Sequence, residues 1–137
     1  MIVHASCVAL GGRGVLILGA SGSGKSGLAL QLMAYGAGLV SDDRTVLTDR
    51  GGWLEASAPD TIRGGIEARG IGILNADPAP PCRIVLAVDM DSTETARMPE
   101  PRHWSACDAT VPLLHKVESL HFAAAILQYL ESGPAEM

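Results

Sequence analysis

The octapeptide Gly19-Ala20-Ser21-Gly22-Ser23-Gly24-Lys25-Ser26 satisfies the pattern G-x-x-x-x-G-K-[ST] at every defined position. Each residue type has a physical reason to be there. Glycines let successive backbone N–H groups curl around the phosphates of a nucleotide. A helix starting behind the loop turns its positive end toward the same anion. Lys25 is spaced to reach the β- and γ-phosphates, and the Ser26 hydroxyl to take a place on Mg²⁺. Lys25 and Lys116 are the only lysines in the chain, which weakens the reading of Lys25 as an accident of composition. The pattern therefore predicts a site for ATP and Mg²⁺ over Gly19 to Ser26.

Phosphoryl transfer also needs a carboxylate near the metal and a group to take the acceptor's proton. Two acidic sites compete for these roles. Asp89 follows the buried run Ile84-Val85-Leu86-Ala87-Val88, and Asp42-Asp43 follow the shorter run Leu39-Val40-Ser41. An adjacent acidic pair also suits a solvated turn. Pattern alone leaves both sites open.

The elements that must position these residues are legible in part. Ile2–Leu10 and Val15–Leu18, separated by Gly11-Gly12-Arg13-Gly14, read as a β-hairpin leading into the phosphate loop. Leu28, Leu30, Leu32 and Met33 predict a short helix that stops at Gly36-Ala37-Gly38. Thr45–Thr48 and Trp53–Ser57 flank Gly51-Gly52 as a second hairpin, and Thr61–Asn75 is too broken by glycine for a long helix. Ile84–Val88 is a strand buried on both faces. Asp91–Asp108 reads as a mobile loop, and Val117, Leu120, Ala124, Leu127 and Leu130 recur at helical spacing before Gly133-Pro134. The expected class is α/β, one P-loop domain over residues 1–137 with a mixed sheet, a helix after the loop and a C-terminal helix.

Composition narrows the function. A chain of 137 residues, 47% hydrophobic and 18% charged, is a folded globule of one domain. A net charge of −5 argues against a nucleic-acid binder. No apolar run approaches the ~20 residues that span a bilayer, and the N-terminus lacks a basic, apolar leader. The three cysteines are odd in number with no CxxC pair, as expected of reduced thiols in the cytoplasm. His103, His115 and His121 lack ligand spacing, and Trp53 and Trp104 read as packing residues.

Three segments together are more specific. The phosphate loop, then Leu39-Val40-Ser41-Asp42-Asp43, then Ile66-Glu67-Ala68-Arg69-Gly70-Ile71-Gly72-Ile73-Leu74-Asn75 resemble, in order and spacing, the catalytic domain of HPr kinase/phosphorylase. The last segment is the most distinctive, and the resemblance runs roughly from His4 to Tyr129. It implies an ATP- and Mg²⁺-dependent serine kinase acting on an HPr-type phosphocarrier, a homo-oligomer in the cytoplasm that takes part in phosphotransferase-system regulation.

Position by position, the resemblance implies that Lys25 contacts the transferred phosphate and that Ser26 and Glu67 hold Mg²⁺. It implies that the Asp42-Asp43 pair includes the proton-accepting carboxylate, with Asp43 favoured. His4 assists at the phosphoryl site, and Arg69 steadies phosphate charge. The plainer alternatives are a surface ion pair for Glu67 and Arg69 and a structural histidine for His4.

The chain departs from the family in three ways. The N-terminal domain usual in the family is not expected here, since the loop begins at Gly19, so the chain resembles the short form. Ala20 replaces the usual acidic residue. Pro112-Leu113-Leu114-His115-Lys116 stands where the family has a loop containing Pro and Arg, which implies a kinase with weak reverse phosphorolysis. A small-molecule P-loop kinase or ATPase using Asp89, and a non-catalytic nucleotide sensor, are the competing readings. Neither accounts for Ile66–Asn75.

Overall fold

The computed structural model describes residues 1–135. Its strands are β1 (Ile2–Val3), β2 (Ala5–Leu10), β3 (Arg13–Leu18), β4 (Gly38–Ser41), β5 (Thr45–Asp49), β6 (Leu54–Ser57), β7 (Gly65–Ala68), β8 (Gly72–Asn75), β9 (Cys82–Thr93), β10 (Arg102–Ala106) and β11 (Ala109–Lys116). Helix α1 spans Lys25–Ala34, α2 spans Phe122–Ser132, and a 3₁₀ turn covers Asp60–Ile62.

Nine strands form one mixed sheet in the order β1-β5-β6-β9-β3-β2-β4, with β11 also on β9 and β10 on β11. The parallel pairs are β3 with β9 and β9 with β11; the other pairs are antiparallel. β6 takes the start of one β9 edge and β11 its end, so β9 lies at the centre of the sheet. The strand–turn–strand of β2 and β3 agrees with the sequence, except that β1 leaves the hairpin to pair with β5. β7 and β8 form a separate two-stranded sheet.

Alternation along the strands builds an apolar cluster on each face. Val8, Val15, Ile17, Leu86 and Val88 meet Leu28, Ala29 and Leu32 of α1 and Phe122, Ala123, Ile126 and Leu130 of α2. Ala5, Cys7, Leu16, Val40, Leu47, Leu54 and Ile84 pack on the other side. The pairing Gly14↔Ile84 followed by Val15↔Leu86 leaves Val85 as an extra residue in β9. That bulge reverses the alternation, which is why Ile84 and Leu86 serve opposite faces. Cys7 and Cys82 are buried free thiols with sulfurs 3.8 Å apart, and Cys107 is exposed and free. The hydrogen bond with Cys82, then burial, pushes the Cys7 thiol above its ordinary value.

Helix α1 ends where glycine predicts. The Ala37 amide donates to Leu32 O and the Gly36 amide to Met33 O, a Schellman pair that satisfies carbonyls the helix leaves open. Two sequence expectations fail further along. The supposed mobile loop 91–108 contains the end of β9 and all of β10, whose alternating half-exposed pattern escapes a search for apolar runs. The buried stripe of α2 is Phe122, Ala123, Ile126 and Leu130, while Leu120 is fully exposed before the helix begins. Packing against the sheet and α1 turns Phe122, Ala123, Ile126 and Leu130 inward and leaves Ala124 exposed.

Candidate active site

β3 runs into the phosphate loop and α1 leaves it, so the loop sits at the end of the central parallel pair. Its backbone needs glycine: Gly19, Gly22 and Gly24 have φ of 152°, 83° and 101°. A Cβ on Gly19 would lie 2.4 Å from Ser23 Oγ. That hydroxyl is buried and has no hydrogen-bond partner among the described residues. The first amides of α1 have no acceptors within the helix and face the same region. The loop backbone and the orphaned hydroxyl thus suit a polyphosphate. Lys25 is buried, with Nζ donating to the carbonyls of Gly19 at 2.7 Å and Ala20 at 3.1 Å.

A cleft of about 380 Å³ opens beside the loop, and Lys25, Ser26, Asp43, Glu67 and Arg69 are among its lining residues. Glu67 and Arg69 reach it because β7 alternates: Ile66 and Ala68 are buried in the core, leaving the two charged side chains outward. Among the described residues they form no ion pair with each other, contrary to the plainer alternative.

The acidic pair divides. Asp42 is buried and saturated: Oδ1 accepts the Ser26 hydroxyl at 2.7 Å and the Ser6 hydroxyl at 2.8 Å, and Oδ2 accepts the Glu67 amide at 3.0 Å. Asp43 turns the other way, with φ of 64°, a conformation that L-residues adopt at a cost and that Asp tolerates better than most. Its Oδ1 is 2.8 Å from His4 Nε2 and 3.5 Å from Lys25 Nζ, and it is half exposed toward the cleft. Ser26 and Glu67 line the cleft with oxygen donors of the hard type that suits Mg²⁺, while the Asp42 oxygens are taken up by hydrogen bonds.

Asp89 does not join them. It accepts the Asp91 amide and the Ser92 hydroxyl, and it does not line the cleft. Two residues that the sequence reading passed over do hold the site. Ser6 links Asp42 to Asp43, accepting the Asp43 amide at 3.0 Å. Asp91 accepts the Ala20 amide with both oxygens, at 3.0 and 3.1 Å, so a carboxylate from β9 stands beside the loop position where Ala20 has none of its own. A polar residue in the apolar strand β2 was a usable signal for Ser6; Asp91 carried none.

Lys116 lies away from the cleft. It ends β11 and lines a second groove with Gly24, Gly27 and Met90. No helix among the described residues is long and apolar enough to cross a membrane.

Residues 1–79 match the family model described as the HPr serine kinase C-terminal domain. An HPr kinase/phosphorylase of Brevibacillus brevis is 45% identical over 74 residues, covering 53% of this chain and 24% of the relative. Another, from Mycoplasmopsis pulmonis, is 34% identical over 99 residues, 67% of this chain and 32% of the relative. The chain thus spans about a quarter to a third of the length of these relatives. The structure of the Hpr(Ser) kinase/phosphatase from Coxiella burnetii superposes with a TM-score of 0.76 at 25% identity, covering 96% of this chain and 93% of that one. That match covers more of the chain than the family model does. The chain belongs to the HPr serine kinase C-terminal domain family.

Proposed function

We propose that the protein is an ATP- and Mg²⁺-dependent serine kinase whose acceptor is an HPr-type phosphocarrier, working in the cytoplasm as a homo-oligomer in phosphotransferase-system regulation. The observation that carries the reading is Asp43: a carboxylate at φ 64°, in the cleft, within reach of both His4 and the phosphate-loop lysine. The names of the relatives supply the substrate class.

In this reading the amides of the loop 19–26 and the start of α1 bind the polyphosphate, and Lys25 and Arg69 offset its charge. Ser26 and Glu67 hold the metal, with Asp42 orienting the Ser26 hydroxyl. Bound Mg²⁺ supplies neutralisation of charge on the β- and γ-phosphate oxygens. The acceptor serine enters beside Asp43. Its O–H proton passes to the Asp43 carboxylate as its oxygen forms the new bond to phosphorus, while the bond from that phosphorus to the β–γ bridging oxygen of ATP breaks and ADP leaves. His4 holds Asp43 in place through its Nε2, 2.8 Å from Oδ1. No group on Asp89 is needed, which separates this reading from a small-molecule kinase built on that residue.

The test is transfer of label from γ-labelled ATP to a serine-bearing phosphocarrier, with Mg²⁺, by the wild-type protein and Lys25→Ala. Lost charge stabilisation at Lys25 is expected to cost ~3–4 kcal/mol of barrier, a hundredfold or more in rate. Equal labelling by a folded Lys25→Ala protein would overturn the kinase reading. Nucleotide binding with no transfer to any phosphocarrier would favour a sensor.

A further inference from the structure

Ser6 is not explained by the phosphate loop. It lies in β2 opposite Ile17 of β3, fully buried, and does not line the cleft. Its hydroxyl nevertheless connects the two carboxylates that matter most. It donates to Asp42 Oδ1 at 2.8 Å and accepts the Asp43 amide at 3.0 Å. A hydroxyl can do both with one oxygen, because it carries a donor and lone pairs together.

The geometry makes that double role consequential. Asp42 Oδ1 is gripped by Ser6 and by Ser26, and Oδ2 by the Glu67 amide, so its carboxylate cannot rotate. The next residue is held in the left-handed region, φ 64°, which aims its carboxylate at His4 and Lys25. The only hydrogen bond made by the Asp43 amide among the described residues is the one to Ser6. The peptide between the two aspartates is therefore fastened to β2 on both sides.

We propose that Ser6 is a positioning residue for phosphoryl transfer: its hydroxyl sets the angle between the metal-side carboxylate Asp42 and the proton-accepting carboxylate Asp43. The inference rests on the kinase reading for its catalytic consequence and on the nucleotide-free protein for its structural one. Without the hydroxyl, the Asp43 amide loses its partner, the strained residue relaxes, and its carboxylate drifts from the acceptor oxygen. Phosphate contacts come from residues 19–26, which Ser6 bonds only through Asp42, so nucleotide affinity changes little.

The experiment compares Ser6→Thr with Ser6→Val. The two side chains are nearly equal in volume, both are branched and at home in a strand, and they differ in the hydroxyl. Strain from the methyl that Thr adds is common to both. Val differs in placing a second methyl where the hydroxyl stood, 2.8 Å from Asp42 Oδ1 and 3.0 Å from the Asp43 amide in the wild type. The comparison of Ser6→Cys with wild type separates that crowding from the lost hydrogen bonds. Ser6→Val is expected to have a kcat about 10–100-fold below Ser6→Thr, the scale on which small misplacements act, with KM for ATP within about twofold. Amide hydrogen exchange in the nucleotide-free protein gives a readout independent of activity: the Asp43 amide is slow in wild type and Ser6→Thr and fast in Ser6→Val. Ser6→Cys, which is close in shape and a poor donor, is compared with wild type in the same two measurements and stands alone should the branched variants fail to fold. Equal kcat with or without the hydroxyl, or equal protection of the Asp43 amide, overturns the proposal. A wild-type protein that transfers no phosphate sinks the kinase reading instead, and the exchange measurement still decides whether Ser6 holds Asp43.

Discussion

Neighbouring side chains of one type occupy unlike environments at residues 42 and 43. Asp42 is buried and accepts from Ser6, Ser26 and the Glu67 amide, whereas Asp43 is half exposed and faces His4 and Lys25. Only the second has a free oxygen toward an incoming hydroxyl. On the proposed mechanism, Asp43→Asn should lower turnover at saturating ATP and Mg²⁺ by roughly 10²–10⁴-fold, the span of general-base contributions. Asp89→Asn should leave turnover near wild type, because Asp89 lies outside the cleft and bonds only Asp91 and Ser92 of its own strand, contacts that the Asn side-chain carbonyl can still accept in part. An inactive Asp89→Asn protein beside an active Asp43→Asn protein would reverse the assignment. Glu67 tests the metal. An amide is a poorer ligand for Mg²⁺ than a carboxylate, so Glu67→Gln should raise the Mg²⁺ concentration for half-maximal activity. An unmoved Mg²⁺ titration would remove Glu67 from the metal site.

At the level of elements, the connection from β9 to β10 shows how a segment rich in Pro, Ser and charge is ordered. The Glu94 amide donates to Lys116 O, and its carboxylate accepts from Arg102 and from the amides of Thr95 and Ala96. The Ala96 amide, ahead of Arg102 and the Thr95 amide, holds the Glu94 carboxyl below its ordinary value of 4.5. A group with a depressed folded-state pKa stabilises above its unfolded value and loses that contribution as pH falls through the folded one. Glu94→Gln should therefore be less stable than wild type at neutral pH, and the gap should narrow as pH falls below the unfolded carboxyl value of about 4.3 and through the lower folded one. Denaturant unfolding at pH 7 and pH 3 checks this; an equal gap at both would show that the ionised carboxylate is not what orders the connection. In α2 the energetics are those of packing. Ile126 is fully buried between the sheet and α1, so Ile126→Ala should cost about 2–5 kcal/mol in the same assay.

For the whole molecule, the sheet places Lys25 and Asp43 on one side of the phosphate loop and Lys116 at a separate groove that shares Gly24 and Gly27. Reverse phosphorolysis would bring inorganic phosphate beside phosphoserine, and two close anions need cations between them. In the cleft the cations are Lys25 and Arg69. Release of pyrophosphate from a serine-phosphorylated acceptor and inorganic phosphate, without ATP, should be weak; a rate matching the forward reaction would contradict this. The local parts of this design were readable in the chain. A loop of the G-x-x-x-x-G-K-[ST] type needs particular φ angles and a particular lysine, and these belong to contiguous residues, as do the glycine stop after α1 and the Ile84–Val88 core of β9. Glu67 and Arg69 were named only by the resemblance over Ile66–Asn75; local alternation accounts for Glu67 facing outward between buried Ile66 and Ala68. What the linear pattern left open was the choice between Asp89 and Asp42-Asp43, and it missed Ser6 and Asp91 altogether. Those depend on strand order. β2 lies between β3 and β4, which carries Ser6 against the end of β4, and the parallel pairing of β3 with β9 sets Asp91 beside Ala20. Contacts between residues 36 or 71 positions apart are decided by which strands pair and in what register. Local spacing does not encode that register; the packing of the whole sheet does.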